Sequence, residues 1–170
     1  MIPAPPVRLE HLIDRPVCNA IVAFEPPDAF QPARMASAGR HNDEMFRVDT
    51  ELSLRLQSVL STRFSIHCTC DDLIEIYRYT RGQYVELHAD TPRRIARGRL
   101  SDATLLIYLN DDFDGGRTLF PLHDLAIAPS TGSALIFEHG VPHAAEAVRS
   151  GVKFVARLNL AYSVLTATEN

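Results

Sequence analysis

The chain has 170 residues, 46% apolar and 22% charged, the values of an ordinary globular domain long enough to bury a core. Its formal net charge of −4 gives no reason to expect general nucleic-acid or membrane affinity, and the sequence has no apolar run of the roughly 18 residues that would span a bilayer. The N-terminal stretch "MIPAPPVRLEHLIDRP" lacks the apolar core of a signal peptide, which points to a cytoplasmic protein. An odd set of three cysteines (Cys18, Cys68 and Cys70) is no disulfide framework, so free buried thiols are expected.

Seven of the eleven prolines fall in the first 40 residues, which disfavours long regular elements there. Residues 17–25, "VCNAIVAFE", read as an edge strand ended by Pro26-Pro27. From Thr50 to about Phe64 the pattern changes: Leu52, Leu56, Val59 and Leu60 recur at helical spacing, with Asp49 or Thr50 as the cap.

Short strand-like runs follow, at 73–79, 83–89, 103–109, 116–121, 125–129, 133–138 and 153–163. The segments between them, such as "NDDFDGG", "PSTG" and "RSG", carry turn chemistry and leave no room for crossover helices. The pattern predicts a mainly β fold, a sandwich or jelly roll.

Within "YVELHAD" (84–90), His88 and Asp90 are two residues apart, so an extended strand projects both to one face, ~7 Å apart. Two imidazoles and one carboxylate suit non-haem Fe(II). For the third ligand His11 and His41 lie outside the strand-rich body, and His67 and His123 sit beside helix-end or loop signals. His139 and His143, in "FEHGVPHAAEAV", compete. On the last strand Lys153, Val155 and Arg157 alternate onto one face, where buried cations need an anionic partner. Lys153 lies ten positions beyond His143; the position ten beyond His139 is Arg149, in a turn.

The order "YRYTRGQYVELHAD", "DATLLIYLNDDFDGGRTLFP", "GSALIFEHGVPHAAEAV", "SGVKFVARLNLAY" resembles the 2-oxoglutarate- and iron(II)-dependent oxygenases, specifically the prolyl-4-hydroxylase-like group, over roughly residues 73–163. The resemblance implies a double-stranded β-helix (jelly roll) with flanking N-terminal helices. It implies one domain over 1–170, with 1–72 as helical or irregular support and 73–163 as catalytic core. His88, Asp90 and His143 are then the metal ligands. The cosubstrate side falls to Lys153 for the far carboxylate of 2-oxoglutarate, with Arg157 as runner-up or second cation, Tyr79 for its hydroxyl, and Thr104, whose strand face meets the pocket.

Fe(II), 2-oxoglutarate and O₂ are the implied cofactor and cosubstrates, with ascorbate in support. The implied reaction hydroxylates an unactivated C–H of an amino acid, peptide or small natural product and releases succinate and CO₂. The chain departs from common family residues at Glu75, at Ala144-Ala145 and at Leu158-Asn159, neighbourhoods that help to shape the substrate site. Two other readings stay open: a cupin-like metal protein without oxygenase activity, and a nucleic-acid demethylase. The second draws on Arg93, Arg94, Arg97 and Arg99 in "TPRRIARGRL", although the net charge and the absence of interleaved aromatics oppose it. The same arginines, following a metal ligand directly, are expected to rim the site and favour a substrate bearing a carboxylate or phosphate.

Overall fold

The structure, a computed structural model, describes residues 4–24, 26–34, 39–95 and 98–164. The first half of the chain holds β1 (Val7–Leu9), α1 (Arg15–Phe24), β2 (Gln31–Pro32), β3 (Asp43–Val48), α2 (Thr50–Phe64) and β4 (Ile66–Cys70). Ten strands follow: β5 (Leu73–Tyr79), β6 (Val85–His88), β7 (Ala103–Tyr108), β8 (Asp114–Gly115), β9 (Thr118–Phe120), β10 (Leu125–Ile127), β11 (Ala134–Glu138), β12 (His143–Ala145), β13 (Val148–Ser150) and β14 (Lys153–Val164).

All strand pairs are antiparallel. The larger sheet runs β1-β11-β7-β14-β5-β3-β2, with β4 also paired to β14. A smaller sheet runs β10-β9-β12-β6, and β13 pairs with β8. The chain is thus mainly β with two α-helices among the described residues, the jelly-roll architecture expected from the sequence.

Side-chain alternation on the long strands explains the layering. Ile74 and Ile76 of β5, Ala103, Leu105 and Ile107 of β7, and Ala156 and Leu158 of β14 pack with Leu52, Leu56 and Leu60 of α2 in one apolar core. Tyr77, Tyr79, Tyr108, Phe137 and Val155 point the other way and pack with Phe120 and Val141 in a second core. The buried polar groups Glu75, Thr104, Lys153 and Arg157 occur on the same alternate positions as that second set.

Asp49 caps α2, its carboxylate accepting from the Leu52 N–H at 2.9 Å. Val59, placed on the apolar stripe by spacing, is 45% exposed, so the stripe that packs is Leu52, Leu56 and Leu60. The edge strand expected over residues 17–25 is not formed: Arg15–Phe24 is a helix. Its buried residues Cys18 and Ile21 are three apart, a helical spacing, and Pro16 near its start supplies the fixed φ that suits a first turn. All three cysteines are free and buried.

Candidate active site

β6 and β12 pair with His88 directly opposite His143, which sets the two imidazoles side by side with ring centroids 4.3 Å apart. Asp90 follows two residues on, just past the end of β6. His88 Nε2 lies 3.9 Å from Asp90 Oδ1, and His143 Nε2 lies 4.0 Å from Asp90 Oδ2. The three residues offer ligand atoms that all fall within 4.8 Å of one another.

The tautomers suit metal binding. His88 Nδ1 lies 2.9 Å from the Glu86 carbonyl and His143 Nδ1 lies 3.0 Å from that of Val141. A ring N–H donates to each carbonyl, leaving both Nε2 lone pairs for a metal. Burial lowers the pKa of both rings, that of His143 to about 4, so both are neutral near pH 7. Burial pushes the Asp90 carboxyl up, but the Arg157 guanidinium, His143 and the Thr104 hydroxyl outweigh it and hold the group well below the usual carboxylate range. Two neutral imidazoles and a committed carboxylate fit a divalent first-row metal such as iron(II).

A polar cluster fixes that carboxylate. The Thr104 hydroxyl donates to Asp90 Oδ2 at 2.5 Å, and Arg157 Nη2 lies 3.1 Å from the same oxygen. Arg157 Nη1 also donates to Glu75 Oε1 at 2.9 Å, an oxygen that Arg93 shares at 2.7 Å, while the Tyr77 hydroxyl donates to Glu75 Oε2. His139 is buried, with Nε2 2.7 Å from the Ser101 hydroxyl and Nδ1 3.3 Å from that of Thr104. Both its nitrogens face hydroxyls, and it reaches Asp90 only through Thr104.

Lys153 is placed very differently. It is 1% exposed, its Nζ donates to the Gly116 carbonyl at 2.7 Å, and it lies over the rings of Tyr79 and Tyr108 at 4.9 and 5.6 Å. Burial pulls its pKa down to about 7. Gly116 makes this approach possible: at φ +65° a Cβ there would come within 3.1 Å of Lys153 Cδ and 3.0 Å of Phe113. Among the described residues no carboxylate lies within ion-pairing distance of it, Glu146 acting on it only at longer range, and a buried ammonium so placed has the character of a carboxylate receptor.

Two cavities meet at the triad. One, between the sheets, is lined by Tyr79, Thr104, His143, Lys153 and Arg157. The other opens outward, has a volume of about 610 Å³, and is lined by Phe46, Glu75, Asp90, Thr91 and Arg93 among others. Arg40, His88 and Arg157 border both. Arg40 had no signal in the sequence. A left-handed glycine carries it here: Gly39, at φ +81°, has no room for a Cβ, which would sit 2.7 Å from that of Glu86, and its carbonyl accepts the Glu86 N–H at 2.9 Å. Arg40 then lies across from Val85, with Nη2 3.5 Å from His88 Nε2 and 3.7 Å from Asp90 Oδ1.

The arginine-rich loop is only partly as expected. Arg93 reaches the cleft and is tied to Glu75, whereas Arg94 donates to the Gly98 carbonyl of its own loop at 2.8 Å. Arg97 lies outside the described residues.

Residues 74–161, just over half of the chain, match the 2OG-Fe(II) oxygenase superfamily. The chain belongs to this family. A protein of Acanthamoeba polyphaga mimivirus, itself only assigned as a prolyl 4-hydroxylase, is 26% identical to this oxygenase over 175 residues, covering 90% of this chain and 72% of that one. Prolyl 4-hydroxylase 1 of Arabidopsis thaliana is 29% identical over 119 residues, 58% of this chain but 42% of the plant protein. The viral collagen prolyl hydroxylase of Paramecium bursaria Chlorella virus-1, solved with 2-oxoglutarate, has the same fold at a TM-score of 0.72, with 19% identity over 94% of this chain and 96% of that one.

This oxygenase is therefore a 2-oxoglutarate- and iron(II)-dependent dioxygenase that hydroxylates an unactivated C–H with release of succinate and CO₂. The cupin-like and demethylase readings are the less well supported. Among the described residues no helix is long and apolar enough to cross a membrane.

Proposed function

We propose that this oxygenase hydroxylates a saturated carbon of a prolyl group in a substrate that also carries an anionic group, within a single domain whose residues 1–72 support the core of 73–163. His88, Asp90 and His143 hold iron(II), and Lys153 receives the far carboxylate of 2-oxoglutarate, with Tyr79 and Thr104 lining its pocket. Iron supplies the activation of O₂: one oxygen atom enters the substrate C–H bond, and the other enters succinate as CO₂ leaves 2-oxoglutarate.

The rest is done by the chain. The Glu86 and Val141 carbonyls orient the imidazoles, Thr104 and Arg157 fix one oxygen of Asp90, and the apolar second core keeps water from the cosubstrate. The observation that carries this reading is the meeting of three metal-suited donors at the border between a pocket ending on a buried lysine and an open cleft. The prolyl assignment is supported by relatives and a solved neighbour named as prolyl hydroxylases. The anionic group is supported by the cleft lining, where Arg34, Arg40, Arg93 and Arg157 face three carboxylates (Glu44, Glu75 and Asp90), one of them a ligand of the dication.

The test is to incubate the protein with Fe(II), 2-oxoglutarate, ascorbate and proline-containing acids, following succinate and the gain of one oxygen atom by mass. Substrate-stimulated succinate with a hydroxylated prolyl product supports the reading. Hydroxylation of non-prolyl substrates alone refutes the prolyl assignment.

A further inference from the structure

Arg40 is a largely buried cation, its side chain 14% exposed, without a carboxylate of its own. Beside the neutral Tyr77 ring, whose centroid lies 5.3 Å from its guanidinium carbon, its close contacts among the described residues are Asp90 Oδ1, the nearest carboxylate oxygen, at 3.7 Å and His88 Nε2 at 3.5 Å. Both atoms belong to the set suited to holding the metal, and a dication there repels a guanidinium. The remaining acids of the cleft are committed elsewhere. Glu75 serves Arg93, Arg157 and Tyr77, and Glu44 Oε1 accepts the Arg34 backbone N–H at 2.8 Å. A guanidinium shielded from water in this way needs an anion, and the outward cleft that it borders admits one.

Resting on the function proposed above, we infer that Arg40 is the specificity-determining residue that receives a free carboxylate of the substrate. Because Arg40 faces the metal-holding atoms themselves, that carboxylate lies only a few bonds from the carbon that is oxidised. An α-carboxylate on the prolyl group meets this condition; a residue inside a peptide, whose carboxyl is an amide, does not. The substrate class is thus an amino acid or the carboxyl-terminal residue of a peptide. Gly39, which brings the loop against β6, makes the receptor part of the fold.

The experiment compares succinate formation by the Fe(II) protein with L-proline, prolinamide, a peptide ending in proline and the same peptide amidated. The acids should stimulate turnover at concentrations at least tens-fold lower than their amides, and the response to free proline or to the peptide acid identifies the source of the carboxylate. Arg40→Gln should raise the half-saturating acid concentration tens-fold and erase the preference over amides, with Arg40→Lys in between.

Independently of turnover, Arg40→Gln should bind Co(II) several-fold more tightly in the absence of substrate, because a positive charge beside the ligands is gone. Equal stimulation by acids and amides, stimulation by neither, or an Arg40→Gln protein with unchanged preference and unchanged Co(II) affinity overturns the inference. Succinate formed without any substrate reports the oxygenase reading separately, so its presence with a failed acid preference rejects only the role of Arg40.

Discussion

Lys153 and Arg157 lie four residues apart on one strand, both buried, yet their surroundings differ in kind. Arg157 is held between two built-in carboxylates, Glu75 and Asp90, and is kept fully charged: burial alone would lower its pKa, but Tyr77, Asp90 and Glu75 raise it. Lys153 has a carbonyl and two aromatic rings, and burial brings its pKa to about 7. What separates a structural cation from a ligand receptor is therefore whether the fold supplies the counter-charge. Arg157 positions a carboxylate that belongs to the protein, and Lys153 is the cation we propose for one that arrives.

Removing the acid that Arg157 shares with the proposed metal site should have the largest effect. Asp90→Ala takes away a donor as well as a charge, so bound iron and activity should fall by at least the roughly 100-fold expected for second-sphere losses. His143→Ala should do the same, while His139→Gln should keep substantial iron by metal analysis. Loss of iron in the His139 variant and retention in the His143 variant would contradict the ligand assignment.

Breaking the other side of the Arg157 arrangement should appear as stability. Glu75→Met leaves Arg157 with Asp90 alone and takes from Arg93 the carboxylate it bonds, and the cost should be about 3 kcal/mol in denaturant unfolding. Equal stability of the Glu75→Met variant and the parent would show that the pair is not what holds Arg157.

The Lys153 side predicts a pH effect with a definite sign. The protonated amine binds the carboxylate, and the complex raises its pKa above about 7. Affinity for 2-oxoglutarate is then full below that pH and falls above it, by up to ~10-fold per pH unit until the pKa of the complex is reached. A half-saturating concentration that stays flat between neutral and alkaline pH would mean that Lys153 is charged in the free protein. The smallest effect belongs to Arg94→Glu, whose partner is a carbonyl of its own loop; stability should change by less than ~0.5 kcal/mol.

How much was legible in the sequence follows from how local each signal is. β5 was read to its end residues, and α2 was equally plain with its cap narrowed to Asp49 or Thr50, because alternation, helical spacing and capping operate over a few neighbours. His88 and Asp90 were visible as an i,i+2 pair, although the strand stops at His88 and Asp90 lies beyond it. The helix Arg15–Phe24 was misread because its apolar run was weighed by composition, not by the three-residue separation of Cys18 and Ile21. Arg40 could not be seen: its contact with His88 spans 48 residues and depends on a left-handed glycine and a strand edge. Glu75 was visible as a departure from the family pattern, but its role required Arg157 and Arg93 to converge on it in space.

The most direct test of the contrast is 2-oxoglutarate binding to the iron(II) protein without oxygen, measured for the parent, Lys153→Met and Arg157→Met. Loss of a charge-assisted partner to a buried carboxylate costs roughly 2–5 kcal/mol. Lys153→Met should therefore weaken 2-oxoglutarate by tens- to thousands-fold while retaining iron, and Arg157→Met should weaken it far less. A larger loss in Arg157→Met than in Lys153→Met, with iron retained in both, would contradict the account and move the receptor four residues along the strand.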